Sequence, residues 1–184
     1  RIRDDVVAAC PLIDPPGYFQ NRRLPTVGLF AWDFLGMPQL LGGNRMSDRY
    51  YYQPPPEVPF EVEQPAAAAA LFRRDRFLEL GGFDTAFLPA WWEDVDLFAR
   101  VKQNGWKAVC DPAFRVSHEM GAVVQQIGRS RFFELYGANC VRYFRKHHSP
   151  SAVATVKAVL SLGLLLRSLR GRVGPALAWR AWAW

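Results

Sequence analysis

The chain has 184 residues, half of them hydrophobic and 22% charged, with fourteen glycines and fourteen prolines. That is room for one ordinary domain, or one domain with a tail, and it excludes disorder throughout and a collagen-like period. The net charge of +6 is uneven: residues 129–184 carry ten basic side chains against Glu134, a net +9, which leaves −3 for residues 1–128.

A basic, aromatic-rich rear favours an anionic partner: a lipid surface, a diphosphate or nucleic acid. No uncharged apolar run reaches the roughly eighteen residues of a clean membrane span. Residues 1–5 are charged and no apolar segment of the signal-peptide kind follows. The first residue is not Met, so the expected N-terminus is a processing or frame boundary. Cys10, Cys110 and Cys140 are odd in number and show no CxxC spacing. They read as small core residues of a protein in a reducing cytoplasm.

Residues 6–10 (VVAAC) predict a buried strand ending at Pro11, and a turn cluster follows at 14–17. Residues 18–57 scatter aromatics among Gly and Pro, so an irregular excursion is expected, with one short helix near 30–35. Residues 59–63 predict an edge strand. The alanine run at 66–73 is read as a buried strand between two strand-like contexts. Residues 75–80 fit a short helix stopped by Gly81 and Gly82.

The clearest helix spans 93–104, with Val95, Phe98 and Val101 on one face. Acids crowd its first turn, Arg100 and Lys102 sit in its second half, and Gly105 follows, the order that the helix dipole favours. Strands are predicted at 106–110 and 114–118, separated by a turn at Asp111 and Pro112. A long helix at 131–146 is broken by Ser149 and Pro150, and an apolar helix at 151–170 ends in arginines.

The densest polar cluster is Glu93, Asp94 and Asp96, directly after Trp91 and Trp92. Helix capping explains such a cluster. So does a general base beside an aromatic wall that excludes water and raises a carboxylate pKa. Asp94 and Asp96 also spell DxD, a spacing that holds divalent cations on nucleotide diphosphates. His118 ends a strand, and a lone histidine is more often structural or solvated than a ligand. His147 and His148 lie at a basic helix end and lack a partner at metal spacing. No glycine-rich phosphate loop and no Gly-x-Ser-x-Gly occurs.

One ordered string stands out: Arg73, Arg74, Asp75 and Phe77; Gly81, Gly82, Phe83 and Asp84; Trp92, Glu93, Asp94 and Asp96; Arg100, Gly105, Asp111, Pro112 and His118; then Asn139 and residues 142–148. It resembles the C-terminal half of family 2 glycosyltransferases, especially the rhamnosyltransferase-like group, over residues 58–150. The resemblance implies an α/β GT-A-like (nucleotide-diphospho-sugar transferase) fold, a mixed sheet with flanking helices, whose N-terminal nucleotide-binding half is missing here. It implies sugar transfer from a nucleotide-sugar donor to a saccharide or lipid-linked acceptor in cell-surface polysaccharide synthesis. Asp94 matches the catalytic base, with Glu93 beside it. Gly82, Phe83 and Asp84 match the acceptor side, Trp91 and Trp92 offer rings to a sugar face, and His118 matches a metal or diphosphate ligand. A divalent metal, Mg or Mn, is expected of the complete enzyme, and the fragment alone is expected to be inactive.

Residues 1–150 therefore read as the acceptor-side half of the domain, and residues 151–184 as a basic amphipathic helix with a Trp-rich tail. The tail suits a bilayer interface, which places the protein at the cytoplasmic face of the cell membrane as a peripheral enzyme. Packing of that helix on a protein core is the other reading. A non-catalytic saccharide- or lipid-binding module is the alternative function. Nucleic-acid binding is disfavoured, because the basic residues follow an apolar helix and no such motif is spelled.

Overall fold

A computed structural model describes residues 4–14, 21–41, 45–52, 57–119 and 121–184. Most of the turn cluster expected at 14–17 and the proline run at 54–56 lie outside the described residues. The described chain is mixed α/β: β1 (Val6–Asp14), α1 (Val27–Phe34), α2 (Met37–Leu41), α3 (Arg45–Tyr51), β2 (Phe60–Val62), β3 (Leu71–Phe72) and α4 (Arg74–Glu79) come first. A 3-10 turn (Thr85–Phe87) follows, then α5 (Glu93–Gln103), β4 (Lys107–Ser117), α6 (Ala122–Ile127), α7 (Arg129–His147), α8 (Pro150–Leu169) and α9 (Ala176–Arg180).

The chain forms two compact units, each built from separate stretches. The first holds 1–24, 43–86 and 93–119; the second holds 25–42, 87–92 and 120–184. This division does not follow the boundary expected at 150/151, because residues 151–184 share a unit with the helix before them.

The first unit carries a four-stranded mixed sheet in the order β2-β4-β1-β3. β1 runs parallel to β4, whereas β2 and β3 pair antiparallel at the two edges. Two expectations change here. β1 continues through Pro11 to Asp14, and residues 107–117 form one strand, not two. The reason lies in their shared register. Pro11 faces Asp111, and Leu12 then faces Arg115, so the ladder slips where Pro11 and Pro112 both lack an N–H. The alanine run yields only the two-residue β3, whose Leu71 is exposed. Val7, Ala8, Cys10, Val62, Ala108 and Cys110 form the core, onto which α5 packs Phe98 and Val101. All three cysteines are free and buried.

The second unit is helical. The expected irregular excursion contributes α1, which begins where Thr26 accepts the Leu29 N–H at 3.2 Å, and α2. α3 belongs to the first unit. Ser149 and Pro150 do break the chain, and they also start α8: Ser149 Oγ accepts the Ala152 N–H at 3.3 Å with Pro150 in the first turn. Its core is aromatic. Phe30 stacks on Phe34 at 5.3 Å between centroids, and Trp92 lies 5.4 Å from Tyr136 and 5.3 Å from Tyr143. Two helical glycines are notches for rings. A Cβ on Gly137 would fall 2.0 Å from the Trp184 ring, and one on Gly163 would fall 2.6 Å from Phe34.

Candidate active site

α5 begins at Glu93, and its first turn holds Glu93, Asp94 and Asp96. The free N–H groups of a helix N-terminus favour negative charge, which lets three carboxyl groups crowd there. They do different work.

Asp96 is fully buried. Arg100, one turn on, reaches Asp96 Oδ2 through Nε and Nη2, both at 2.9 Å. The same guanidinium donates from Nη1 to the Leu80 carbonyl at 2.6 Å and from Nη2 to the Gly82 carbonyl at 2.8 Å. Asp96 and Arg100 thus staple the Gly81–Gly82 turn to α5. Gly82 has φ +68°, the left-handed region, and a Cβ there would press on the Phe77 ring at 3.3 Å. Phe83 is exposed, with its edge against Phe72 and Phe77. Asp84 Oδ1 accepts the Ala86 N–H at 2.9 Å, which turns the chain into the 3-10 segment.

Asp94 sits on the other side of the turn. Its Oδ1 accepts the Val95 N–H at 2.8 Å, and its Oδ2 accepts Gln64 Nε2 at 3.3 Å. Gln64 is buried just beyond β2. An isolated antiparallel bridge to Arg22 holds its backbone, and Arg22 Nε donates to Gln64 Oε1. Nothing in the sequence string pointed to Gln64, since a glutamine after a short strand carries no motif.

Glu93 is half-buried, and its Oε2 is buried without a hydrogen-bond partner. Burial pushes the Glu93 carboxyl above the usual carboxylate range, and the Asp94 charge adds to this, against a smaller downward pull from a backbone hydrogen bond.

Trp91 and Trp92 belong to the second unit. Both have positive φ, +70° and +74°, which costs bulky residues roughly 1–3 kcal/mol each. Asn139 holds their segment. Its Nδ2 donates to the carbonyls of Phe87, Ala90 and Trp91 at 2.6, 2.9 and 3.1 Å, and Arg142 donates to its Oδ1. These bonds give Asn139 and Arg142 of the ordered string a structural job. Trp92 is buried among aromatic rings, so it has no face to stack on a sugar, contrary to expectation. Trp91 is half-buried, edge-on to Phe132 at 4.8 Å.

His118 lies exposed past the end of β4, and its backbone N–H donates to the Asp14 carbonyl at 3.2 Å. Among the described residues no group of three or more His, Cys, Asp or Glu is placed to hold a metal ion. With Asp96 taken by Arg100, the DxD of Asp94 and Asp96 does not offer two free carboxylates. The described residues do not fit the expected Mg or Mn site.

The chain matches no protein-family model, no curated protein and no solved structure.

Proposed function

We propose that this chain is the acceptor-side part of a GT-A-type glycosyltransferase, and that Asp94 is its general base. The observation that carries the reading is the division of labour at the start of α5. One acid, Asp96, is consumed by Arg100, while Asp94 is held in place by Gln64 beside the half-buried Glu93, whose Oε2 lacks a hydrogen-bond partner. The ordered string from Arg73 to His148 supports it, and so does a mixed sheet on which α5 packs.

In this reading Asp94 takes the proton of an acceptor hydroxyl. The freed oxygen forms a bond to the anomeric carbon of the donor sugar. The bond from that carbon to the diphosphate oxygen breaks, and its electron pair leaves with the nucleoside diphosphate. Gln64 orients the carboxylate through Oδ2. Desolvation favours the protonated form of Glu93, which relieves repulsion between neighbouring acids. Gly82, Phe83 and Asp84 shape the acceptor side, Phe83 offering an exposed ring. No step is routed through a metal.

The test is Asp94→Asn in the full natural reading frame that carries this chain, assayed with nucleotide-sugar donors. Transfer falls about 10²- to 10⁴-fold while the circular dichroism spectrum is unchanged. A folded, fully active Asp94→Asn enzyme overturns the assignment. The second reading is a saccharide- or lipid-binding module without turnover. Saccharide binding with no release of nucleoside diphosphate would select it.

A further inference from the structure

α8 is packed along one side and bare along the other. Val156, Leu160, Gly163 and Leu164 are buried, and Gly163 lets the helix close onto the Phe34 ring. Arg167 bonds the Phe34 carbonyl at 2.8 Å and secures the same contact. On the opposite side Leu162, Leu165, Leu166 and Leu169 are exposed by 48, 44, 37 and 78%. Their spacing of i, i+3, i+4 and i+7 puts them on one helical face. Beyond the helix, Trp179 and Trp182 are exposed by 77 and 54%. Arg170 and Arg172 are exposed between the leucines and the tryptophans, and residues 151–184 contain no acid.

We propose that the leucine face of α8, with Arg170, Arg172 and the exposed tryptophans, docks on the surface of an anionic lipid bilayer, with the helix lying in the plane of the interface. Leucines enter the acyl boundary, indoles sit at headgroup level, and arginines meet lipid phosphates. By length and composition α8 is also apolar enough to cross a membrane, with mean hydropathy 1.6 over a window only 22% buried. Its packing on α1 and on the charged helix α7 argues for lying flat, because a spanning helix would carry the arginines and lysine of α7 toward the hydrocarbon. Charge decides against a second copy as the occupant. A second copy brings five more basic side chains in 151–184 and no acid there to meet them. The inference rests on α8 and the tail alone and stands apart from glycosyl transfer.

The test sediments the full chain with vesicles of phosphatidylcholine, alone or mixed with phosphatidylglycerol. The wild type pellets with the mixed vesicles, and its tryptophan emission shifts to the blue. Leu165→Gln/Leu166→Gln/Leu169→Gln weakens this binding by at least about tenfold. Arg170→Ser/Arg172→Ser removes the preference for mixed over neutral vesicles, as does high salt. Both variants replace exposed side chains, and circular dichroism checks their fold. Three outcomes overturn the proposal: no wild-type binding to either vesicle, leucine and arginine variants that both bind like wild type, or a wild-type dimer in solution that the leucine variant splits.

Discussion

In the sheet-bearing unit, directed polar bonds fix the site: Arg100 ties the buried Asp96 to the carbonyls of Leu80 and Gly82, and the buried Gln64 ties the segment just beyond β2 to the Asp94 carboxylate. In the helical unit the fixing contacts are rings set into notches, Phe34 at Gly163 and Trp184 at Gly137, with Asn139 the buried amide that closes one turn. Charge-assisted bonds are short, strong and geometrically specific. Ring packing is less directional but excludes water over a wide area. The first kind of order fits the general base proposed at Asp94, and the second fits the platform proposed to present one bare helical face.

The largest effect that would break this contrast comes from Asp96→Ala. Removing one member of a buried pair leaves a charge without its partner, at a cost of about 3–5 kcal/mol. Arg100 is slightly exposed and keeps two carbonyls, so the lower end is expected. Urea denaturation measures it. A loss below about 1 kcal/mol would mean that the Arg100 staple does not organise the sheet-bearing unit.

A smaller pair of changes sharpens the other side of the comparison. Gly163→Ala forces a methyl against the Phe34 ring, an overpacking cost of about 1–3 kcal/mol. The better helix propensity of alanine offsets about 1 kcal/mol of that. Gly28→Ala, in α1, meets nothing within 4 Å and should therefore stabilise by up to about 1 kcal/mol. Opposite signs in thermal melts would identify Gly163 as a notch; equal gains at both positions would remove the notch.

The sequence reveals what local pattern controls. α5 is legible because acids, a 3–4 spacing of apolar residues and Gly105 agree on one helix. The α4 stop at Gly81 and Gly82 is legible for the same reason, since both glycines adopt the positive φ that the turn requires. What fails to show is the destination of a side chain. Asp94 and Asp96 look alike in sequence, and what separates them is that Arg100 takes the buried Asp96 while Gln64 bonds Asp94. Trp92 reads as a sugar platform beside the acids, yet Tyr136 and Tyr143, more than forty residues away, bury it. Proline misleads in the same manner. Pro11 and Pro112 read as strand ends, but in neighbouring strands they share one ladder irregularity and both strands continue.

The smallest expected effect is also the most informative about the candidate site. Glu93 has its carboxyl raised by burial above an ordinary value of 4.5. Below the ordinary glutamate range both folded and unfolded chains hold the proton, and the stability is fully present. As pH rises, the unfolded chain ionises first while the folded chain keeps its proton, so stability declines until the folded pKa is passed. Glu93→Gln removes this decline. Urea midpoints at pH 4 and pH 7 should therefore fall less in the variant than in the wild type, with little difference between the two proteins at pH 4. Should the two curves run parallel across that range, the Glu93 carboxyl is as well solvated as a surface glutamate. The partnerless Oε2 would then have water at hand, and the contrast between Glu93 and the firmly bonded Asp94 would vanish.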